Sequence, residues 1–394
     1  SNIYCFYNKK VGVTMKKILA MLLCFVISIQ IPIAVYAKSD DDKNKKISAK
    51  AVCLMALDSG EVLYKENEYE ELSPASVTKI MSILLVLEAL DSGKIKLSDK
   101  VTASKEAVAM GGSQIWLELG EVMTVEELLK AVIIASANDA CTALGEYVAG
   151  SDVAFVKMMN NKAKSLGLKH TNFENCTGLD DTVKAHYSCA YDLAVISREV
   201  MKHSLITKYS TIWLDSLRNG KTELNNTNKL VKSYSGITGL KTGTTSNAGF
   251  CISATASRDG LNLVAVVLGS DTSEHRFDTA AYLLDTGFAN YSCVKAKIDS
   301  KKIKSVKIKN GKEKSIKPYY NAELKMIVPK GNNNLSYKYK VKKEVSAPIK
   351  KGDNLGKIDV ISNGNKIKSI DLYANKDVEI VDFKYIFLNI FKHI

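Results

Sequence analysis

The sequence is short of the groupings that hold metal ions. Its eight cysteines include no C-x-x-C pair, and its histidines, His170, His186, His203, His275 and His393, show no ligand spacing. No metal site is readable, and no cofactor is expected. No base-stacking motif appears either, so nucleic acid is not the expected partner in spite of a net charge of +13. No uninterrupted apolar run is long enough to span a membrane with ease, and a transmembrane helix is the second reading of the N-terminal stretch. The run "ILAMLLCFVI" follows Lys16 and Lys17, Gln30 and Pro32 then break it, and Val35 and Ala37 of "AVYA" stand where a signal peptidase cuts. Residues 1–37 are expected to be an N-terminal extension and an export signal beginning at Met15. The mature protein is then expected at the outer face of the cytoplasmic membrane or in the cell wall.

Loss of that segment removes four lysines and no acids, which leaves +9. The charge is uneven. Residues 295–375 hold 21 lysines, no arginine and seven acids, so the remainder of the mature chain is mildly acidic. A Lys-rich surface on an exported protein suits anionic lipids or anionic wall polymers, and suits plain solvation equally. Cys5 and Cys24 belong to the leader. Cys53, Cys141, Cys176, Cys189, Cys251 and Cys293 lie mostly in apolar segments and read as small buried hydrophobes, with pairing left open.

Residues 38–47 form a charged linker, after which "AVCLMALDSGEVLYKE" reads as two strands about a turn at Ser59 and Gly60. Apolar residues from Val77 to Leu90 fall on every side of a helix, which predicts a buried, central element starting at Pro74 and Ser76. Thr124 and Glu127 make a capping box for a helix that breaks at "SAND" before a second begins. Strand material with Gly turns follows Gly236, "RDG" predicts a hairpin, and "DTAAYLLDTGFANY" a closing helix. Helices in the middle and strands at both ends predict an α+β domain over 48–291 whose terminal strands share one antiparallel sheet. Two Asn-Gly turns between alternating residues predict a small basic β-rich domain over 295–375. Residues 380–394 place six apolar side chains on one helical face, too short to span a bilayer but suited to lying in its interface as a membrane anchor. Docking of that helix on the β-rich domain is the other reading.

Three short strings carry the chemistry. In "PASVTKI" Ser76 and Lys79 stand three positions apart at the start of the buried helix. A serine hydroxyl needs a base within reach, and a lysine one helical turn on can serve if burial keeps it neutral. Alone this S-x-x-K is weak, because "SCVK" at Ser292 to Lys295 matches it and a Ser at a helix start is often only a cap. The strings "SAN", Ser136 to Asn138, and "KTG", Lys241 to Gly243, each occur once and complete the order S-x-x-K, S-x-N, K-T-G.

On these motifs, with "FENCTGLDDTVKAHYSCAYDLA" and "GLKTGTTSNAGFC", the sequence resembles the low-molecular-mass penicillin-binding proteins, serine-type D-Ala-D-Ala carboxypeptidases, from about Ala51 to Phe288. The basic module and tail match that family's C-terminal plan. The resemblance implies a serine β-lactamase/D,D-peptidase-like catalytic domain, an antiparallel sheet with a helical subdomain. It implies Ser76 as nucleophile on the peptide bond between two terminal D-alanines, Lys79 as its base and Ser136 as proton relay. It also implies Asn138, Lys241, Thr242, Gly243, Thr244 and Arg276 as substrate-binding residues, with the backbone N–H groups of Ser76 and Thr244 facing the oxyanion. The partners implied are peptidoglycan stem peptides and β-lactams as acylating inhibitors. Cys176 stands where the family usually has proline and Cys189 where threonine is common. A class A β-lactamase has the same three motifs, but the E-x-x-L-N signature is absent after Glu174. A transpeptidase, and a wall-binding scaffold without turnover, are the other readings.

Overall fold

The computed structural model describes residues 47–181, 183–320, 325–331 and 335–382. The expected export segment 1–37, most of the linker 38–47 and nearly all of the expected tail helix 380–394 lie outside them. None of the described helices is long and apolar enough to cross a membrane.

The chain opens with β1 (Ala51–Ala56) and β2 (Val62–Glu66), the expected hairpin. A 3-10 turn, Ala75–Thr78, leads into α1 (Lys79–Asp91), so the helix proper begins three residues beyond Ser76. A ribbon of β3 (Lys100–Thr102) and β4 (Val122–Thr124) flanks the short α2 (Lys105–Val108). Helices α3 (Val125–Ile134), α4 (Asn138–Ala149), α5 (Asp152–Ser165), α6 (Ala190–Val200) and α7 (Ser204–Ser210) make up the helical part. The hairpin β5 (Leu214–Leu217) and β6 (Thr222–Asn225) and the short α8 (Leu230–Ser233) then return the chain to the sheet. The sheet is completed by β7 (Ile237–Thr245), β8 (Gly249–Arg258) and β9 (Leu261–Ser270), and α9 (Ser273–Asn290) closes the domain.

The sheet order is β2-β1-β9-β8-β7, antiparallel throughout, so the first and last strands of the domain pair at its centre. Alternation along β1 divides two cores. Ala51, Cys53 and Met55 pack with the helical part, while Val52, Leu54 and Ala56 pack under α9. Both faces of the sheet are therefore covered, which is why β1 and β9 read as continuous apolar runs rather than as polar and apolar residues in turn. Helix α1 is buried all round, from Ile80 through Leu87. Each large aliphatic side chain in it contributes roughly 1.5–3 kcal/mol by leaving water. The capping box at Thr124 and Glu127 is present, with Thr124 Oγ1 accepting from the Glu127 N–H at 3.1 Å.

The β-rich part comprises β10 (Tyr291–Lys295), β11 (Val306–Lys309), β12 (Ser315–Ile316), β13 (Lys325–Pro329), β14 (Leu335–Val341), β15 (Glu344–Ser346), β16 (Asn354–Ser362) and β17 (Asn365–Tyr373). Asn363 and Gly364, at φ +47° and +81°, make the expected two-residue turn between β16 and β17. The other Asn-Gly pair does not. Val306 pairs with Ile316 and Ile308 N donates to Lys314 O, so Asn310 and Gly311 lie in a longer loop. Competing contacts explain it: Lys312 N donates to Glu379 O and Val381 N to Asn310 O, so the loop is held open by the chain's last described residues. The decoy "SCVK" lies in β10, where residues three apart point to opposite faces.

Candidate active site

Ser76 sits in the 3-10 turn beside Ala75, whose φ of +48° is a left-handed value for a residue with a side chain. Its hydroxyl is not a cap. Lys79 Nζ donates to Ser76 Oγ at 2.8 Å and to the Thr177 carbonyl at 2.8 Å. Lys79 is fully buried, and burial pushes its pKa down from 10.5 to about 8, with Cys141, Cys176 and Asp139 opposing that shift. A neutral amine on the serine hydroxyl is therefore within reach near neutral pH.

The Thr177 carbonyl is positioned by a loop whose role sequence reasoning missed. Asn175 Oδ1 accepts from the N–H groups of Thr177 and Gly178. Gly178 has φ +85°, and a Cβ there would stand 1.8 Å from the Ala75 carbonyl oxygen. Asp180 Oδ2 joins the loop to both sides of the site, accepting from Ser73 Oγ at 2.9 Å and Thr245 Oγ1 at 2.6 Å. His186 braces the loop: its Nε2 meets Thr78 Oγ1 at 2.8 Å, its Nδ1 accepts from Glu174 N, and burial lowers its pKa to about 4. Cys176 is buried beneath α1 and α4, and Ser82 Oγ donates to its carbonyl at 2.7 Å. Cys189 caps α6 through sulfur, its Sγ accepting from Asp192 N at 3.4 Å. All six cysteines among the described residues are free.

The joint between α3 and α4 holds Ser136, buried at φ +63°. Asn138 Nδ2 donates to Gly111 O at 2.6 Å, and its buried Oδ1 has no partner among the described residues. Asp139, which follows it, accepts from the backbone N–H groups of Ile115, Leu117 and Ala140. Nothing in the spacing singled this aspartate out, because an acid in the first turn of a helix is ordinary.

The edge strand β7 carries the third motif. Lys241 is buried, with Nζ donating to Thr242 O at 2.9 Å, and Thr242 Oγ1 donates to Thr227 Oγ1 at 2.7 Å. Burial holds the Lys241 pKa well below its ordinary value, and the neighbouring Lys79 and Arg276 charges add to that. Gly243 lies against the nucleophile's turn: a Cβ there would come within 2.8 Å of Pro74 O and Ser76 N. Arg276 reaches the same strand from α9, donating to Gly243 O at 3.0 Å and Thr244 Oγ1 at 2.9 Å. Its guanidinium lies over the rings of Phe250 and Phe277, at 5.5 and 4.6 Å, and burial lowers its pKa to about 10. The structure thus packs the third motif and Arg276 against the nucleophile's turn, and the helix that follows Ser136 lies near enough for Asp139 and Cys141 to act on Lys79. Among the described residues no cluster of histidine, cysteine, aspartate and glutamate could hold a metal ion.

A sequence profile described as D-alanyl-D-alanine carboxypeptidase matches residues 37–272. The chain belongs to that family. A second profile, described as the penicillin-binding protein 5 C-terminal domain, matches residues 291–380. The D-alanyl-D-alanine carboxypeptidase DacF of Bacillus subtilis is 41% identical over 376 residues, covering 94% of this chain and 96% of that protein. Penicillin-binding protein 5 of Haemophilus influenzae superposes with a TM-score of 0.77 at 32% identity, covering 85% of this chain and 98% of that one. Penicillin-binding protein D2 of Listeria monocytogenes, solved in an ampicillin-bound form, superposes with a TM-score of 0.57 at 33% identity, over 62% of this chain and 99% of that one. The fold is thus the one expected, an α+β D,D-peptidase-like domain followed by a β-rich part. The β-lactamase reading is not favoured. Glu174, where its deacylating glutamate was sought, instead accepts from the backbone N–H groups of Lys184 and Ala185 and braces the loop.

Proposed function

We propose that this carboxypeptidase removes the terminal D-alanine of peptidoglycan stem peptides through an ester on Ser76, and that penicillins acylate the same oxygen. The observation that carries the residue roles is charge. Lys241 and Arg276 are both buried beside the nucleophile's turn, and among the described residues neither is ion-paired to a carboxylate. Buried cations without a counter-charge suit a ligand that brings one, and a peptide ending in a free carboxylate does.

In this reading Lys241, Thr242 and Arg276 receive that carboxylate, and the unpartnered Asn138 Oδ1 accepts an amide N–H of the substrate. Neutral Lys79 takes the Ser76 proton as Oγ attacks the carbonyl carbon. The oxyanion is met by the N–H groups of Ser76 and Thr244. The C–N bond breaks as a proton passes through Ser136 to the leaving amine, D-alanine departs, and water hydrolyses the ester. Export and membrane association belong to the same proposal. They rest on the leader pattern of residues 1–37 and the one-sided apolar pattern of 380–394.

Intact-mass spectrometry tests the chemistry. A penicillin adduct on the wild type but not on Ser76→Ala, with loss of one D-Ala from a peptide ending in D-Ala-D-Ala, is the expected result. Rapid adduct loss with hydrolysed penicillin and an untouched peptide would indicate a β-lactamase, and no adduct a scaffold. Truncation after Asp382 is expected to release the protein from membranes.

A further inference from the structure

Trp116 is 75% exposed and Leu119 70%, both on the loop between α2 and β4. Trp116 has φ +58°, a conformation bulky residues avoid. The loop is nevertheless fixed from two sides. Asp139 accepts from Ile115 N at 3.2 Å and Leu117 N at 3.0 Å, the two residues flanking the tryptophan. The Arg218 guanidinium donates to the Ile115 carbonyl at 2.8 Å and grips the Glu121 carboxylate at 2.7 and 2.9 Å. A rigid support that holds an indole out in water gains nothing for the core.

The ring overlooks a groove of about 750 Å3 walled by Trp116, Leu119, Glu118, Glu121, Arg218 and Lys221. Arg218 and Glu121 cancel each other as a pair, which leaves one exposed acid and one exposed base, Glu118 and Lys221. The groove is therefore near neutral, polar at its rim, and aromatic on one wall. That combination disfavours a polyanion and disfavours a purely apolar ligand. It suits a neutral, hydroxylated ring with C–H faces and amide groups.

We propose that this groove binds the glycan strand of peptidoglycan, Trp116 stacking on the face of an N-acetylated sugar. The inference deepens the proposed function and rests on it for the identity of the polymer. Continuity with the peptide site supports it. Asp139, which fixes the Trp116 loop, directly follows Asn138, whose own N–H and Nδ2 hold Ser113 O and Gly111 O at the near end of the same loop. A polymer whose peptides hang from sugars presents both parts to one enzyme.

The sequence has two tryptophans, Trp116 and Trp213, so Trp213→Phe leaves Trp116 as the reporter. Titration of that variant with tetra-N-acetylglucosamine is expected to give a saturable change in emission. A change with free pentapeptide and none with the sugar would make the groove a peptide subsite and overturn the proposal. In steady-state kinetics, the preference for a disaccharide pentapeptide over the free pentapeptide is expected to fall about tenfold in Trp116→Ala, through KM, and to return in Trp116→Tyr. An equal preference in wild type and Trp116→Ala would also overturn it. A wild type that cleaves neither substrate would remove the carboxypeptidase reading instead, and the sugar titration, which needs no turnover, would still decide the groove.

Discussion

The two parts of the chain use lysine in opposite ways. In the catalytic domain Lys79 and Lys241 are buried, and burial lowers the affinity of each amine for its proton. In the β-rich part nearly all the described lysines are exposed, and several pair with acids, as in Lys309 with Glu344 at 2.6 Å and Lys340 with Asp359 at 2.6 Å. There the Glu344 carboxylate holds Lys309 in its charged form, and Lys340 with Ser369 brings the Asp359 carboxyl down to about 2. One residue type thus holds its proton weakly in a dry setting, as the proposed base must, and keeps a lasting charge in a wet one. Net charge reports only the second use.

The contrast breaks most visibly at Lys79. Replacement by methionine, close in volume and unable to take a proton, is expected to slow acylation about 10²–10⁴-fold, the usual worth of a general base. The pH profile carries the sign. In the proposed mechanism the active form is the neutral amine, and burial holds its pKa to about 8, so the wild-type acylation rate is expected to rise through about pH 8 and level off above it. A rate that fell with rising pH over that range would rule Lys79 out as the base. Measurement is by stopped-flow with a fluorescent penicillin.

Arg276 is a buried cation with no proton transfer assigned to it in the proposed mechanism. Arg276→Ala is expected to reduce kcat/KM about 10²-fold on a peptide with a free terminal carboxylate, the scale of hydrogen bonds to a charged group. On the same peptide with an amidated end, wild type and variant should differ little. A loss of equal size on both substrates would mean that Arg276 only supports β7, where it already donates to Gly243 O and Thr244 Oγ1.

Gly178 tests whether the lysine's setting depends on the loop beneath it. Alanine there meets both a left-handed φ of +85° and the Ala75 carbonyl 1.8 Å from the new Cβ. The expected cost is about 2–4 kcal/mol of stability, from strain and overpacking together, with a shift in the Lys79 pH profile as Thr177 O moves. An unchanged denaturation midpoint and profile would mean that the turn carrying Ser76 yields to the loop at no cost.

Much of this site was legible in the sequence, since S-x-x-K, S-x-N and K-T-G name side chains at fixed spacing and the buried helix could be read from its apolar residues. The loop was not. Thr177 acts through a carbonyl, which every residue has, and Asn175, Asp180 and Asp139 act by holding backbone or hydroxyl groups far away in sequence. The same limit appears in the fold. Asn363-Gly364 is a tight turn closed by the pairing of Ser362 with Asn365. Asn310-Gly311, with an identical local signal, opens because residues near 380 pair with it.

Lys309 and Glu344 approach to 2.6 Å, closer than Lys79 approaches Ser76, yet the lysine side chain is 62% exposed. Water screens the pair and ordering two long side chains opposes it, so distance does not translate into stability. Lys309→Gln is expected to leave both the thermal midpoint and penicillin acylation where they were, at low and at high salt. A clear drop in the midpoint that added salt abolished would show that the surface lysines stabilise the β-rich part through charge after all, and the division between buried and exposed lysines would then need a different basis.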